Sequence, residues 1–301
     1  MIKVCFLQSE WDNKKVLDTY KKMTPGRSGK WKDMIAVTSI DEADFCVIID
    51  YTIHTVPPEK AIYIGAHPTS CTGYVCFDDK PAFAKLDLKN TPGFGEWWLN
   101  IDYDTACTLQ PTLKSKNICC IISNQRLFDY HRKRIEFLNT YCDKYTNSIN
   151  VYGRIIPTST EKAISNNLHG PLGSTPKDVS YDSTYWYGKE TVLEQHRYAL
   201  EFDMGASPEM GICENYFSER FIDDMIMWCM PIYYGGTNIH KYLPENSFKY
   251  VDIFKDNSEY IYNIVNSDFR EIHLNDMAEA RDLLLNKYQL WPRIYNIVKG
   301  C

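Results

Sequence analysis

Short apolar runs closed by acidic or turn residues, each followed by a stretch of helical or turn character, restrict this chain more than any other feature. The segment Asp44-Phe45-Cys46-Val47-Ile48-Ile49-Asp50 shows it most clearly. Apolar side chains at consecutive positions must be covered on both faces of a strand, as happens in parallel sheets held between helices. Residues 2–8 and 61–65 read the same way, the second just beyond the breaker Pro57-Pro58. Residues 11–22 read as a helix with Val16 and Tyr20 spaced i, i+4. A second series opens at Asn117-Ile118-Cys119-Cys120-Ile121-Ile122-Ser123-Asn124. It continues with a helix over 128–145, a Gly/Pro/Ser-rich loop over 166–187, a strand over 197–202, a helix over 218–229 and a strand over 230–234. Residues 258–299 are mostly helical by period. Between the two series, residues 80–116 are rich in turn residues (Pro81, Pro92, Gly93, Gly95, Pro111), and the domain boundary is placed at their end. Two α/β halves and a helical tail result, and 301 residues accommodate two domains of roughly 150 each.

Composition narrows the classes of function. With 44% hydrophobic and 24% charged residues the chain has ample core material, and no apolar stretch approaches the roughly 18 residues of a membrane span. Residues 1–7 read as a first strand rather than a secretory leader, so a cytoplasmic protein is expected. Lys and Arg number 33 against 39 Asp and Glu, a formal charge of −6, which argues against a broad nucleic-acid footprint but allows a local phosphate pocket. The 11 cysteines are odd in number and lack paired CxxC spacing, and Cys5, Cys46, Cys119, Cys120 and Cys229 lie among Val, Ile, Phe and Met, so reduced thiols are expected. No GxGxxG, GxxxxGK[ST] or GxSxG occurs, which removes the usual signatures of dinucleotide, P-loop and serine-hydrolase chemistry.

The most informative segment reads Asn215-Tyr216-Phe217-Ser218-Glu219-Arg220-Phe221-Ile222-Asp223-Asp224, then Met225–Met230, then Pro231-Ile232-Tyr233-Tyr234-Gly235-Gly236. Ser218 suits a helix N-cap, and the unpaired N–H groups of that terminus favour a pyrophosphate. Arg220 adds a permanent cation with a planar donor fork, and Glu219 suits two adjacent ribose hydroxyls. The competing reading is an ordinary surface helix start with an Arg220–Asp224 pair. Asp102-Tyr103-Asp104 has the form of a metal-binding DxD, but the tripeptide is common and lies outside the nucleotide-binding half. Trp97, Trp98 and Tyr103 read as core or as an acceptor-sugar platform.

This segment resembles the donor-binding motif of the family-10 glycosyltransferases, the α-1,3-fucosyltransferases. Tyr216-Phe217-Ser218-Glu219-Arg220 matches the family's Tyr-x-Thr-Glu-Lys helix start, with Ser for Thr and Arg for Lys. Pro231-Ile232-Tyr233-Tyr234-Gly235, Asn238 and Tyr242-Leu243-Pro244 match the C-terminal part of the motif, and Tyr198-Ala199-Leu200-Glu201-Phe202-Asp203 resembles the strand that precedes it. Ser123-Asn124, Arg134-x-x-Phe137 and Tyr152-Gly153 resemble a second motif in the same half, with Arg132 as the rival if the register slips by two. The resemblance implies a GT-B-like α/β fold: two Rossmann-like domains facing a central cleft. They span residues 1–114 on the acceptor side and 115–275 on the donor side, with a helical tail, 276–301, packing back on the first.

The resemblance further implies metal-independent, inverting transfer of fucose from GDP-fucose to a glycan hydroxyl, with no cofactor beyond the nucleotide sugar. Arg134 and Arg220 would hold the diphosphate, with Asn124, Tyr152, Gly153, Asp203, Tyr216, Ser218 and Glu219 completing the donor site and Trp97 and Trp98 receiving the acceptor. The family's Gly-Glu-Asn, whose Glu deprotonates the acceptor, corresponds here to Gly65-Ala66-His67, which leaves His67 as the candidate base and Glu10 and Asp50 as weaker ones. Two alternatives remain open: another donor such as UDP-xylose, or a nucleotide-sugar-binding protein that lost its base.

Overall fold

The computed structural model describes residues 1–9, 12–65, 80–86, 88, 91–93, 95–172, 188–204 and 213–300. The first half contains β1 (Ile2–Ser9), α1 (Asn13–Lys21), β2 (Lys30–Trp31), β3 (Met34–Val37), β4 (Phe45–Thr52), β5 (Ala61–Ile64) and β6 (Ala84–Leu86). After α2 (Tyr103–Thr108) the second half comprises β7 (Lys116–Ile121), α3 (Asp129–Lys144), β8 (Ile149–Tyr152), α4 (Lys162–Asn167) and α5 (Lys189–Gln195). It continues through β9 (His196–Phe202), α6 (Glu219–Ile226), β10 (Met230–Tyr234) and β11 (Lys249–Tyr250). The tail runs through α7 (Ser258–Val265), α8 (Phe269–Ile272), α9 (Leu274–Leu283), a π turn over Leu284–Tyr288 and α10 (Leu290–Lys299).

Two sheets result, in the orders β2-β3-β1-β4-β5-β6 and β11-β10-β9-β7-β8. Every pairing is parallel except β2 with β3. The apolar runs explain the layering. Val4 and Phe6 of β1, Val47 and Ile49 of β4, and Ile62 and Ile64 of β5 join the main core, while the alternate residues Cys5, Leu7, Cys46, Ile48, Ala61 and Tyr63 form a second cluster on the opposite face. Period-two alternation with both faces buried is what the doubly covered parallel sheet requires. The short elements β2 and β6 carry no such run, whereas β3, Met34-Ile35-Ala36-Val37, does and is missed by the sequence reading.

The main core is continuous across the halves, from Phe6 through Trp97, Leu99 and Trp291 to Ile118 and Leu200. The tail closes it: the Trp291 indole donates to Tyr20 O at 3.0 Å and packs on Phe6 at 5.0 Å between ring centroids, and Gln289 Nε2 donates to Met23 O at 3.1 Å. The helix expected over 218–229 stops at Ile226, because Trp228 turns to φ +55° and sends its indole N–H to Leu109 O at 2.9 Å. Lys114 then satisfies the helix-end carbonyls, donating to Leu193 O at 2.7 Å, Glu194 O at 3.1 Å and Met227 O at 2.9 Å. The cysteines Cys5, Cys46, Cys119, Cys120, Cys142 and Cys229 are free and buried, small apolar fillers as expected. Among the described residues no helix is long and apolar enough to cross a membrane.

One buried ion pair joins the segment between the sheets to the second half. Lys189 Nζ lies 2.7 Å from Asp223 Oδ2 with both side chains fully buried, and Asp223 Oδ1 accepts the Trp98 N–H at 2.8 Å. Burial alone would lower the proton affinity of Lys189, but Asp223, with Glu201 and Asp224 behind it, outweighs burial and raises it. Removing one partner of such a pair strands the other charge. Lys189→Met is therefore expected to cost about 3 kcal/mol in urea denaturation, and Lys189→Met/Asp223→Leu to recover a measurable part of that loss.

Candidate functional site

The second sheet changes winding direction between β7 and β9, which pair in parallel as neighbours although β8 comes between them in sequence. Ligands of open α/β sheets bind outside the carboxyl ends of strands at such a switch point. Two guanidinium groups occupy it. Arg134, from the inner face of α3, donates from Nη2 to Ser123 Oγ at 2.9 Å and Ser123 O at 3.2 Å, just past β7. Arg220, in the first turn of α6, donates from Nη1 to Phe202 O at 3.5 Å, at the end of β9. Arg132, the rival in register, points outward, exposed and paired with Asp129.

Asp203 organises this end of the sheet. Its Oδ2 accepts the Ser218 N–H at 2.8 Å and the Tyr233 hydroxyl at 3.0 Å, and its Oδ1 accepts the Ser218 hydroxyl. Ser218 Oγ in turn accepts the Arg220 N–H at 3.3 Å and caps α6. Tyr233 Oη also accepts the Gly236 N–H at 3.1 Å. A Cβ at Gly235 would stand 2.0 Å from Tyr233 Oη and one at Gly236 2.6 Å from the Glu214 and Tyr216 carbonyls, so both glycines permit this close approach. Gly153 serves the same purpose beside β7, where at φ +113° a Cβ would lie 2.2 Å from Ile122 O.

The electrostatics suit an anion. Burial lowers the proton affinity of Arg134, and Arg220 adds repulsion; Arg134 Nε has no hydrogen-bond partner among the described residues. His131 sits beside both: burial, then Arg134 and Arg220, push its imidazole down to about 4, so it is neutral. The Arg220 cation is stabilised against burial by Glu201, Glu219 and Asp203. Glu201, 1% exposed and with neither carboxyl oxygen hydrogen-bonded among the described residues, is pushed up to about 7 by burial against the pull of Arg220 and Lys189.

A cleft of about 260 Å³ lies next to the α6 N-terminus, between the halves. Gln8, Ile49, Ile64 and Gly65 from the strand ends of the first sheet line one side, and Tyr216, Phe217, Ser218 and Glu219 the other. Gly93, Gly95, Glu96 and Trp98 of the connecting segment and Leu290 and Arg293 of the tail complete it. Burial lowers Arg293 to about 10.

The structure thus gathers Arg134, Asp203, Tyr216, Ser218, Glu219 and Arg220 at one end of the second sheet, with Trp98 across the cleft. Other candidates are engaged with partners of their own. Trp97 is 1% exposed and donates its indole N–H to Ile101 O at 2.9 Å, so it is core rather than acceptor platform. Asn124 accepts the Ile156 N–H at 3.1 Å, and Tyr152 stacks on His169 at 5.0 Å. Asp102 caps α2 through the Thr105 N–H at 3.0 Å and pairs with Arg27 at 2.9 Å, and Asp104 accepts the Gly26 N–H at 2.7 Å; the DxD is a helix cap. Among the described residues no group of three or more His, Cys, Asp and Glu is placed to hold a metal. Asp50 is buried and is not among the cleft-lining residues. His67, Ala66 and Glu10 lie outside the described residues. Glu96, missed by sequence reasoning, has no motif around it; only the packing of three segments brings it to the cleft.

No protein-family model matches the chain. A 55-residue segment is 33% identical to GDP-fucose protein O-fucosyltransferase 3 of Danio rerio, covering 18% of this chain and 11% of that protein. An α1,3-fucosyltransferase solved with GDP superposes with a TM-score of 0.50 over 99% of this chain and 90% of its own, at 12% identity. An α-glucosyltransferase solved with UDP and a 13-mer DNA gives 0.52 over 99% of both chains, at 10% identity. The fold is GT-B. In this GT-B chain the two sheets face one cleft, and the capped helix with its paired arginines belongs to the second.

Asp203→Ala would leave the buried Ser218 N–H without its acceptor and the Tyr233 hydroxyl with only the longer contact to Tyr216 O at 3.4 Å. About 3 kcal/mol of stability is expected to be lost in chemical denaturation, with Asp203→Asn losing less because one acceptor oxygen remains.

Proposed function

We propose that the chain is a glycosyltransferase that moves a sugar, most readily fucose from GDP-fucose, to a glycan hydroxyl by a single inverting displacement. The observation that carries this reading is the pair of guanidinium groups, Arg134 and Arg220, at adjacent strand ends beside the capped N-terminus of α6. Two cations placed together and partly desolvated are costly unless an anion of matching charge joins them. The pyrophosphate of a nucleotide sugar is such an anion, and stabilising it as it departs lowers the barrier to transfer. Glu219, at the cleft wall, is assigned to the ribose hydroxyls. The guanidinium pair supplies the charge stabilisation, so the reading assigns no metal to the step. The match with a GDP-fucose O-fucosyltransferase segment and the shared fold with the α1,3-fucosyltransferase support the fucosyl reading. The equal likeness to a UDP-bound α-glucosyltransferase favours, as the second reading, a uridine nucleotide donor on the same scaffold.

Titration calorimetry and donor hydrolysis in EDTA, across GDP-fucose, GDP-mannose, UDP-xylose and UDP-glucose, test this directly. GDP-fucose is expected to bind and to be hydrolysed, with Arg220→Ala and Arg134→Ala each weakening binding at least ten-fold; preference for a uridine donor establishes the second reading, and binding of none of the four rejects both.

Donor binding also reports on Glu201. The pyrophosphate of a nucleotide sugar carries no proton between pH 6 and 8, whereas Glu201, facing Arg220 and Lys189 with Asp203 and Glu219 nearby, loses its proton near 7. Deprotonation adds a negative charge beneath the arginines, so affinity for GDP-fucose is expected to fall about three-fold or more from pH 6 to pH 8. Glu201→Gln, uncharged throughout, is expected to flatten the profile in the same titrations.

A further inference from the structure

Transfer to a hydroxyl needs a group that takes its proton from the side of the cleft opposite the departing diphosphate. Among the described residues, two carboxyl groups line the cleft, Glu96 and Glu219. Glu219 belongs to α6, with Arg220 Nε 4.0 Å from its Oε1, so it stands on the anion-holding side. Glu96 comes from the connecting segment and lines the cleft together with Gln8, Ile64 and Gly65 at the strand ends of the first sheet. It is also held in place. The Tyr20 hydroxyl, which donates to Gln8 Oε1 at 3.5 Å, the Trp98 side chain and the Lys22 cation all lie close enough to its carboxyl group to favour the ionised form. Burial drives the Tyr20 phenol well above its ordinary value, so Tyr20 remains a donor. The backbone around Glu96 is fixed on both sides: Leu290 N–H donates to Gly95 O at 3.0 Å, and Trp98 N–H to Asp223. A carboxylate has about four acceptor positions, enough to receive a substrate hydroxyl as well as its neighbours.

Resting on the transferase reading above, we infer that Glu96 is the general base that deprotonates the acceptor hydroxyl. In the step, the acceptor O–H bond breaks and the proton passes to a Glu96 carboxyl oxygen. The acceptor oxygen uses the released pair to bond to the anomeric carbon. The bond from that carbon to the diphosphate oxygen breaks with its electron pair, which remains on the nucleoside diphosphate beside Arg134 and Arg220. Burial raises the proton affinity of Glu96 above that of an ordinary glutamate, against the pull of Trp98, Lys22 and Tyr20, which improves it as a base.

The test uses GDP-fucose with water as acceptor, read as GDP release. Glu96→Gln keeps the shape and one acceptor oxygen, and is expected to lower GDP release about 100-fold or more while GDP-fucose affinity and thermal midpoint stay near wild type. The acidic limb of the wild-type pH profile is expected to disappear. Sodium azide, a nucleophile with no proton to lose, is expected to restore GDP release in the variant by forming fucosyl azide. Tyr20→Phe, which removes a hydroxyl that favours the ionised carboxylate, is expected to move the acidic limb to higher pH and gives an independent readout should Glu96→Gln destabilise the fold. GDP release by Glu96→Gln within three-fold of wild type, failure of azide to restore it, or its abolition by His67→Ala but not by Glu96→Gln would overturn the assignment while leaving the transferase reading intact. A wild-type chain that binds and hydrolyses none of the four donors overturns that reading, and the role of Glu96 with it.

Discussion

The carboxylate of Asp203 is the point on which the second half is hung. Burying an ionised carboxylate costs several kcal/mol, and here the cost is met by donors from separate chain segments. Ser218 provides two of them, Tyr233 the third, and Arg220 a nearby positive charge. Each donor is therefore held at a fixed place relative to β9. Ser218 is fixed as the N-cap, so α6 must begin there; Tyr233 is fixed at the end of β10, so Gly235 and Gly236 must lack side chains. The helix start, two strand ends and the loop after β10 acquire one geometry from one buried group.

Around that group the charges fall into two sets with different consequences. Lys189 and Asp223 neutralise each other and bind the connecting segment through Trp98, a structural use of charge. Arg134 and Glu201 are less fully satisfied: Arg134 Nε and both Glu201 oxygens have no hydrogen-bond partner among the described residues. Buried groups left in that condition are rare in proteins and call for an explanation. A diphosphate beside the arginines supplies one for the cations, and the displaced proton affinity of Glu201 adjusts the net charge beneath them. The local imbalance is the property that a site for a departing anion requires.

How much of the fold and site is legible in the sequence depends on the length scale of each signal. Runs such as 45–49 and 118–122 mark their strands because two buried faces leave an unbroken apolar imprint. Strands β2 and β6, with two and three residues, are too short to show a period, while β3 has an apolar run as long as that of β5 but no breaker such as Pro57-Pro58 before it. The Ser218-Glu219-Arg220 cap is legible because capping is a local event. The choice between Arg132 and Arg134 is settled by which face of α3 meets the sheet, and the choice between Trp97 and Trp98 by which side of an irregular segment meets the core. Neither is a local property. The Asp102-Tyr103-Asp104 tripeptide misleads for the converse reason, since a helix cap and a metal motif use the same residues at the same spacing.

Glu96 marks the limit of sequence reasoning most sharply, because its environment is assembled from α1, the connecting segment, α6 and the tail. It also shows why a formal charge of −6 says little about the ligand. Exposed charges interact across water and are screened within about 8 Å at physiological ionic strength. Charges in a desolvated cleft are screened far less and interact more strongly at the same distance. The arginines beside the α6 N-terminus and the carboxyl groups of Glu96 and Glu219 at the cleft therefore matter more to a bound ligand than the surface excess of acids. That arrangement also gives the cleft a direction. Negative charge is stabilised on the side of α6 and a proton is accepted on the side of the first sheet, so a displacement between them has its nucleophile at the first sheet and its leaving group at α6.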